Sequence, residues 1–591
     1  MTTLLNRLRT RFLKPNSPLE LRLRTLYHRF NATRMAFRVQ DCLVKRSYRR
    51  WRKRHLARPV PGLASFNHQP LVTFILPFSN ASDAAVDETI QSILGLAGDR
   101  WEVILLTGQD NSKVDPHFVS EPCIKVSHDT PEDLRRSISG DYVILCQPGD
   151  RFDKQLLAEL YAHDDPDNPA VVYFYDIEYP DPVSNDNQPL FKPAAISPVT
   201  LVSCNLLSRG MIKAEVFKSH WQELDHTQAL LTREYELIAR LCEYGMVFKH
   251  IPALLASQID LPAPNDAHYQ LIVDHLARCG CENVSFDPQP VGRRFVWETG
   301  SPSITIVIPT RNNHRFLDPL LTSIFRLPDM HNLHVNLVDN SSDDSATLAY
   351  YDRLQDDPTI TLVPYNKPFN YSEAINLGVL QSDSDLVLLL NDDILPIDPH
   401  WLGELSQWAL RPEVGVVGAK LLRANHTIQH AGIIMGIAGF MGHLYLNAPE
   451  GYHGLLGSAD WVRQYLALTG ACQMMRRKVF DEIGGYDQGY KLAFGDIDFC
   501  LRVHEQGYRN IYTPFARLYH YEGVSRGYNT PTEDALRGYQ RMEPYLLIKD
   551  PFFNPNLTYT RIPKCQTNSQ NKFNFSQSVE DRKYYYLSLN K

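Results

Sequence analysis

The sequence predicts an α/β protein of two tandem domains with mainly parallel central sheets, preceded by a basic helical N-terminal arm. Three observations carry that expectation. Short β-branched or leucine-rich runs alternate with helical patterns, the arrangement from which parallel sheets are built. The series occurs twice, opening with "QPLVTFILPFSN" at 69–80 and again with "SPSITIVIPTRNN" at 301–313. Finally, 591 residues are too many for a single hydrophobic core.

Taken in order, residues 1–68 form the arm. Residues 1–60 contain 17 Lys and Arg against two acids, Glu20 and Asp41, a balance of +15 that leaves −22 for the remaining chain within the overall −7. "LVKRSYRRWRKRHLARP" at 43–59 interleaves Tyr48 and Trp51 with arginines. That pattern suits an anionic membrane surface or another acidic partner, and equally packing on the chain's own acidic surface. No nucleic-acid motif follows it. The first residues lack an apolar core and cleavage site of the secretory kind. No run approaches the length of a membrane span. Ten cysteines without a disulfide-type spacing suit reduced thiols in the cytoplasm.

The first domain is expected over 69–285, with strands at 69–80, 101–112 and 140–150. A Pro- and Gly-containing linker covers 285–303. The second domain is expected over 300–555, with strands at 301–313, 334–344 and 384–394. The tail, 556–591, is polar and Asn-rich and is expected to be poorly ordered.

"LVLLLNDDILP" at 386–396 is the most informative stretch. A run of Leu and Val without polar alternation suits a strand buried on both faces. Asp392 and Asp393 end it, where open α/β sheets gather their ligands. Two adjacent anions there need solvent, a cation or a ligand, so a metal-assisted site is expected.

The second copy also carries "VIPTRNN", "VDNSSDD", "FNYSEAINLG", "IQHAG", "TGACQMMRRKVFDEIGGYD", "FGDIDFCLR" and "LYHYEGVSRG". In this order they resemble the inverting glycosyltransferases of family 2, which have the GT-A nucleotide-sugar-binding fold. The similarity extends to bacterial rhamnosyltransferase-like enzymes of surface-polysaccharide (O-antigen or capsule) assembly. It covers about 69–555, with its specific residues in the second copy.

The resemblance implies roles. Asp393 is the DxD-type metal ligand, His520 completes the site for Mn²⁺ or Mg²⁺, and Asn391 or Asp392 meets the ribose. Pro309, Thr310, Arg311 and Asp339 meet the base or ribose, with Asn370 and Asn376 in the same nucleotide-sugar region. Many relatives have Arg where this chain has Ile375, and Arg526 is the candidate for the missing positive charge. Asp496 is the general base, Asp498 is structural or acceptor-side, and Thr469 and Gly470 belong to an acceptor-side loop. Gly495 departs from the acidic residue common at that point.

In the first copy, Thr107 stands where the second has Asp339. Gly149 stands near the metal aspartate, with Asp150 adjacent, and Glu234 takes the place of the base. Ala256 and Ser257 replace the aromatic–histidine strand end. A degenerate first domain is therefore expected. The activity implied is inverting, metal-dependent, non-processive transfer from a UDP- or dTDP-sugar to a lipid-linked or growing glycan, at the inner face of the cytoplasmic membrane. Two other readings stay open: a bifunctional transferase, and a non-catalytic glycan-assembly scaffold.

Overall fold

The computed structural model describes residues 34–78, 83–107, 121–167, 169–180, 187–289, 293–327, 332–521 and 530–565. Two large sheets organise them. Along the first, the strands run Ile124–His128, Trp101–Thr107, Val72–Pro77, Tyr142–Leu145, Met211–Lys213, Val172–Pro180, Phe248–Ser257 and Arg151–Phe152. Along the second they run Ile360–Pro364, Leu333–Asp339, Ile304–Thr310, Leu386–Leu390, Cys472–Arg476, Val414–Leu422, Arg509–His520 and Ile394–Pro396. Rank for rank in chain order, the two sequences of strands are the same.

In each sheet the first four strands are parallel, as are Val172–Pro180 with Phe248–Ser257 and Val414–Leu422 with Arg509–His520. Two strands of each sheet run the other way: an inserted one, Met211–Lys213 or Cys472–Arg476, antiparallel to both neighbours, and the last one, Arg151–Phe152 or Ile394–Pro396, antiparallel to the strand beside it.

Every residue of Leu386–Leu390 is fully buried, as the unbroken apolar run requires. Helix Tyr371–Leu380 lies close against this sheet because Gly378 has no side chain. A Cβ there would come within 2.3 Å of Val307 Cγ1 and 2.8 Å of Val338 Cγ2. The segment between the sheets is a two-stranded antiparallel ribbon, Glu282–Pro288 with Arg293–Glu298. It is tied to the second half by Arg294 Nε donating to Glu404 at 2.8 Å and Gln407 Nε2 donating to the Phe295 carbonyl at 3.0 Å.

Helix Arg34–Leu56 falls in the basic arm and has two different faces. Val44, Tyr48, Trp51 and His55 recur at helical spacing and are buried. Tyr48 donates to Glu178, Arg52 pairs with the same carboxylate, and Trp51 packs against Phe191. Phe37 and Asp41 meet Tyr452 of the second half. The opposite face is exposed and carries Lys45, Arg46, Arg49, Arg50, Lys53 and Arg54 with Met35, Val39 and Leu43. The inner face is thus aromatic around one acid, not an acidic surface. Among the described residues no helix is long and apolar enough to cross a membrane.

The tail begins as packed chain, contrary to the expectation of poor order from 556 onward. Leu557 pairs with Cys565, both are buried, and the Cys565 N–H donates to Ser47 Oγ at 3.2 Å. Apolar side chains at Leu557, Ile562 and Cys565 outweigh the polar average of that segment. Residues 566–591 lie outside the described residues.

Candidate active site

The leucine strand delivers three polar residues in succession at its carboxyl end. Asn391 N–H is held by the Ala471 carbonyl at 3.0 Å, a consequence of the Leu390–Cys472 pairing. Asp392 accepts from Thr310 Oγ1 at 2.8 Å. Asp393 precedes the short strand Ile394–Pro396, whose Ile394 is paired with His520. That register sets Asp393 Oδ1 at 3.3 Å from His520 Nε2, both side chains nearly buried.

A divalent cation fits this pair. A carboxylate oxygen and an imidazole nitrogen about 3 Å apart match two ligands of one ion with bonds near 2.1 Å. His520 Nδ1 is buried without a hydrogen-bond partner, so no structural contact claims the ring from its other side. Asn391 Nδ2 reaches the same Nε2 at 3.5 Å.

Asp496 stands in the first turn of helix Gly495–Glu505. Phe494, at φ 70°, turns the chain into that helix, a left-handed conformation that costs a non-glycine residue about 1–3 kcal/mol. Asp496 Oδ2 accepts from Gly470 N–H at 2.7 Å. A Cβ at residue 470 would press on Asp496 Cβ at 3.0 Å, so glycine permits this approach. Tyr371 links the two clusters: its hydroxyl lies 3.1 Å from the Gly470 carbonyl and 3.2 Å from Asn391 Oδ1, its one proton shared between these two acceptors. Thr469 stands half-buried beside Gly470.

Other expected contacts have different duties. Asp498 is buried in ion pairs with Arg502 at 2.9 Å and Arg541 at 2.8 Å. Asn370 caps helix Tyr371–Leu380, accepting from Glu373 N–H at 3.1 Å and donating to the Gln488 carbonyl. Asn376 bonds both backbone groups of Tyr486. Their amides thus hold the backbone at Tyr486 and Gln488. Asp339 ends its strand paired in register with Thr310, half-buried and bonded by Ser342 and Tyr351. Pro309 lies beside it in the ladder, and Arg311 is exposed at the strand end. Arg526 lies outside the described residues.

Two residues of the site escaped the sequence reading. Tyr371 stood in "FNYSEA", where nothing in spacing marks a tyrosine as a bridge. His430, in "IQHAG", is fully buried with Nδ1 2.8 Å from His443 Nδ1. Burial first, then the charges of His443 and His520, holds it well below the usual histidine range, so it is neutral.

The first copy closes its corresponding site with a side chain. Arg209 stands two residues before the inserted strand Met211–Lys213, as Gly470 stands two before Cys472–Arg476. Its N–H donates to Glu234 Oε1 at 2.7 Å, as that of Gly470 does to Asp496. Its guanidinium then turns inward, pairing with Asp150 at 3.1 Å and Asp260 at 3.0 Å. Arg209, Asp150 and Glu234 are all buried. A resident cation sits beside Asp150, so a metal does not fit there.

Residues 305–484 match the family described as Glycosyl transferase family 2. The chain is 30% identical over 534 residues to the O-antigen biosynthesis protein RfbC of Myxococcus xanthus, covering 84% of this chain and 41% of that protein. It is 29% identical over 534 residues to the protein y4gI of Sinorhizobium fredii, covering 83% and 58%. It is 25% identical over 229 residues to an N-acetylglucosaminyl-diphospho-decaprenol L-rhamnosyltransferase of Mycobacterium tuberculosis, covering 33% and 68%. The chain thus spans about half the length of the first two relatives. The similarity to glycosyl transferase family 2 thus falls on residues 305–484, which include the strand ending in Asp393 and the turn at Gly470.

Proposed function

We propose that the chain is an inverting, metal-dependent, non-processive glycosyltransferase that moves a sugar from a UDP- or dTDP-sugar to a hydroxyl of a lipid-linked or growing surface glycan. One observation carries the reading. Asp393 and His520 face each other across the space of one ion, and Tyr371 joins that cluster to the carboxylate of Asp496. Mn²⁺ or Mg²⁺ held by Asp393 and His520 supplies positive charge against the leaving diphosphate. Asp392 and Asn391 orient the ribose side, with Asp339, Pro309, Thr310 and Arg311 around the base. Asp496 takes the proton of the acceptor hydroxyl. Gly470 N–H keeps its carboxylate aimed, and Thr469 flanks the acceptor.

Similarity to the mycobacterial N-acetylglucosaminyl-diphospho-decaprenol L-rhamnosyltransferase supports a lipid-linked acceptor. The exposed basic and apolar face of helix Arg34–Leu56 supports peripheral contact with an anionic membrane on the cytoplasmic side. The bifunctional alternative is disfavoured by Arg209, which fills the first copy's site.

Calorimetry of UDP, dTDP and GDP with and without Mn²⁺ tests the reading. Manganese-dependent binding of one nucleotide, lost in Asp393→Ala and kept in Asp150→Ala, is expected. Loss in Asp150→Ala would revive a two-site enzyme, and no binding by folded chain would favour a non-catalytic scaffold.

A further inference from the structure

Far from the transferase site, three metal-ligating side chains of different kinds converge in the first half. Glu243 ends helix Leu230–Glu243, and helix Asp266–Arg278 packs beside it. His275 lies in the last turn of the latter helix and Cys279 directly follows it, so the i, i+4 spacing puts both on one face. His275 Nδ1 lies 2.7 Å from Glu243 Oε1 and 3.9 Å from Cys279 Sγ. All three ligand atoms fall within 4.8 Å of one another. His275 and Glu243 are mostly buried, and Cys279 is half-buried.

The same ring nitrogen serves both neighbours, and that is chemically awkward. Nδ1 carries at most one proton, which satisfies either the carboxylate or the sulfur. Once it is protonated, the thiol cannot donate to it. An ion in place of that one proton would meet all three groups together.

We propose that Glu243, His275 and Cys279 form a binding site for a thiophilic divalent cation of the Zn²⁺ class, with a fourth position left to water. Oxygen, nitrogen and sulfur in one set exclude Mg²⁺ and Ca²⁺, which take oxygen ligands, and suit Zn²⁺ or Co²⁺. Tetrahedral ligands with bonds of about 2.0–2.3 Å stand roughly 3.3–3.7 Å apart, so the carboxylate and imidazole separate by less than about 1 Å on binding. Arg278, which donates to both oxygens of Glu243 at 2.9 Å, remains as the outer contact that orients the carboxylate. The nearby Cys281 is a different case, since Arg411 donates to its sulfur at 2.9 Å. Arg411 belongs to the second half and Cys279 leads into the connecting ribbon, so an ion here would brace the junction between the two sheets.

The full chain, stripped with a chelator and titrated with Co²⁺, tests the site by the near-ultraviolet thiolate-to-cobalt absorption. The wild type should give that band at one Co²⁺ per chain, and Zn²⁺ should abolish it. Cys279→Ser should lose the band, while His275→Gln and Glu243→Gln should weaken binding roughly tenfold or more. Cys281→Ser and Asp393→Ala should keep it. Thermal melts in chelator establish that each variant is folded, and Glu243→Gln tests the site without touching the thiol. Absence of the band in the wild type, its survival in Cys279→Ser, or unchanged affinity in Glu243→Gln would overturn the proposal.

Discussion

Asp496 and Arg209 show how one backbone geometry gives opposite outcomes. In the second copy Gly470 presents its N–H to Asp496 and adds nothing else. Replacing Asp496 by Asn keeps an oxygen for that N–H and removes only proton acceptance. A fall in kcat of about 10²–10⁴-fold is expected with KM little changed, measured by steady-state kinetics with the donor found by calorimetry. In the first copy Arg209 supplies the same N–H and a guanidinium besides. Arg209→Met strands buried Asp150 and Glu234 without their cation, and a loss of about 3–5 kcal/mol in denaturant unfolding is expected. Adding Asp150→Asn should recover part of it, whereas additive losses would contradict the pairing. Asp393 and Asp392 were legible because an apolar run ended in charge. The reach of Arg209 to a carboxylate 59 positions earlier was not, since a buried arginine looks like a surface one until the fold closes on it.

At the scale of elements, the parallel strands announced themselves through unbroken β-branched and leucine runs. The inserted antiparallel strands did not: "CQMMR" is short and mixed, and only the fold places it between two strands and under helix Trp401–Ala409. The loop at Asp550 was equally silent. Its carboxylate is fully buried, accepts from Met435 N–H at 2.8 Å and Phe552 N–H at 2.9 Å, and is pushed by burial up to about 7. A folded-state value above the unfolded one means that stability is present below about pH 4 and is lost as pH rises towards 7. The slope is about 1.4 kcal/mol per pH unit, roughly 4 kcal/mol over that interval. Asp550→Asn removes this titration, so its stability deficit relative to wild type should shrink as pH rises from 4 to 7. Melting curves across that range check it; a constant difference would refute it.

Over the whole molecule, the duplicated strand order was legible from paired motifs, but the way the halves are joined was not. Trp51 and Tyr48 looked like interruptions in a basic run, whereas they anchor the helix to Phe191 and Glu178, with Asp41 reaching Tyr452 on the other side. Direct ties add to this: Tyr179 meets His453 at 2.7 Å, and Asn554 donates to Asp176 at 2.8 Å. Trp51→Ala should therefore cost about 3–5 kcal/mol and split one calorimetric transition into two, and a single unshifted transition would contradict the coupling. The guanidinium in the first copy also has an evolutionary consequence. A side chain, unlike a soluble ion, travels with the gene and needs no supply from solution. Arg209→Gly would leave two buried carboxylates uncompensated at once, so substitution at this position is constrained by stability. Drift at position 209 is thus limited by folding, while at the equivalent position 470 it is limited by the close approach of Asp496.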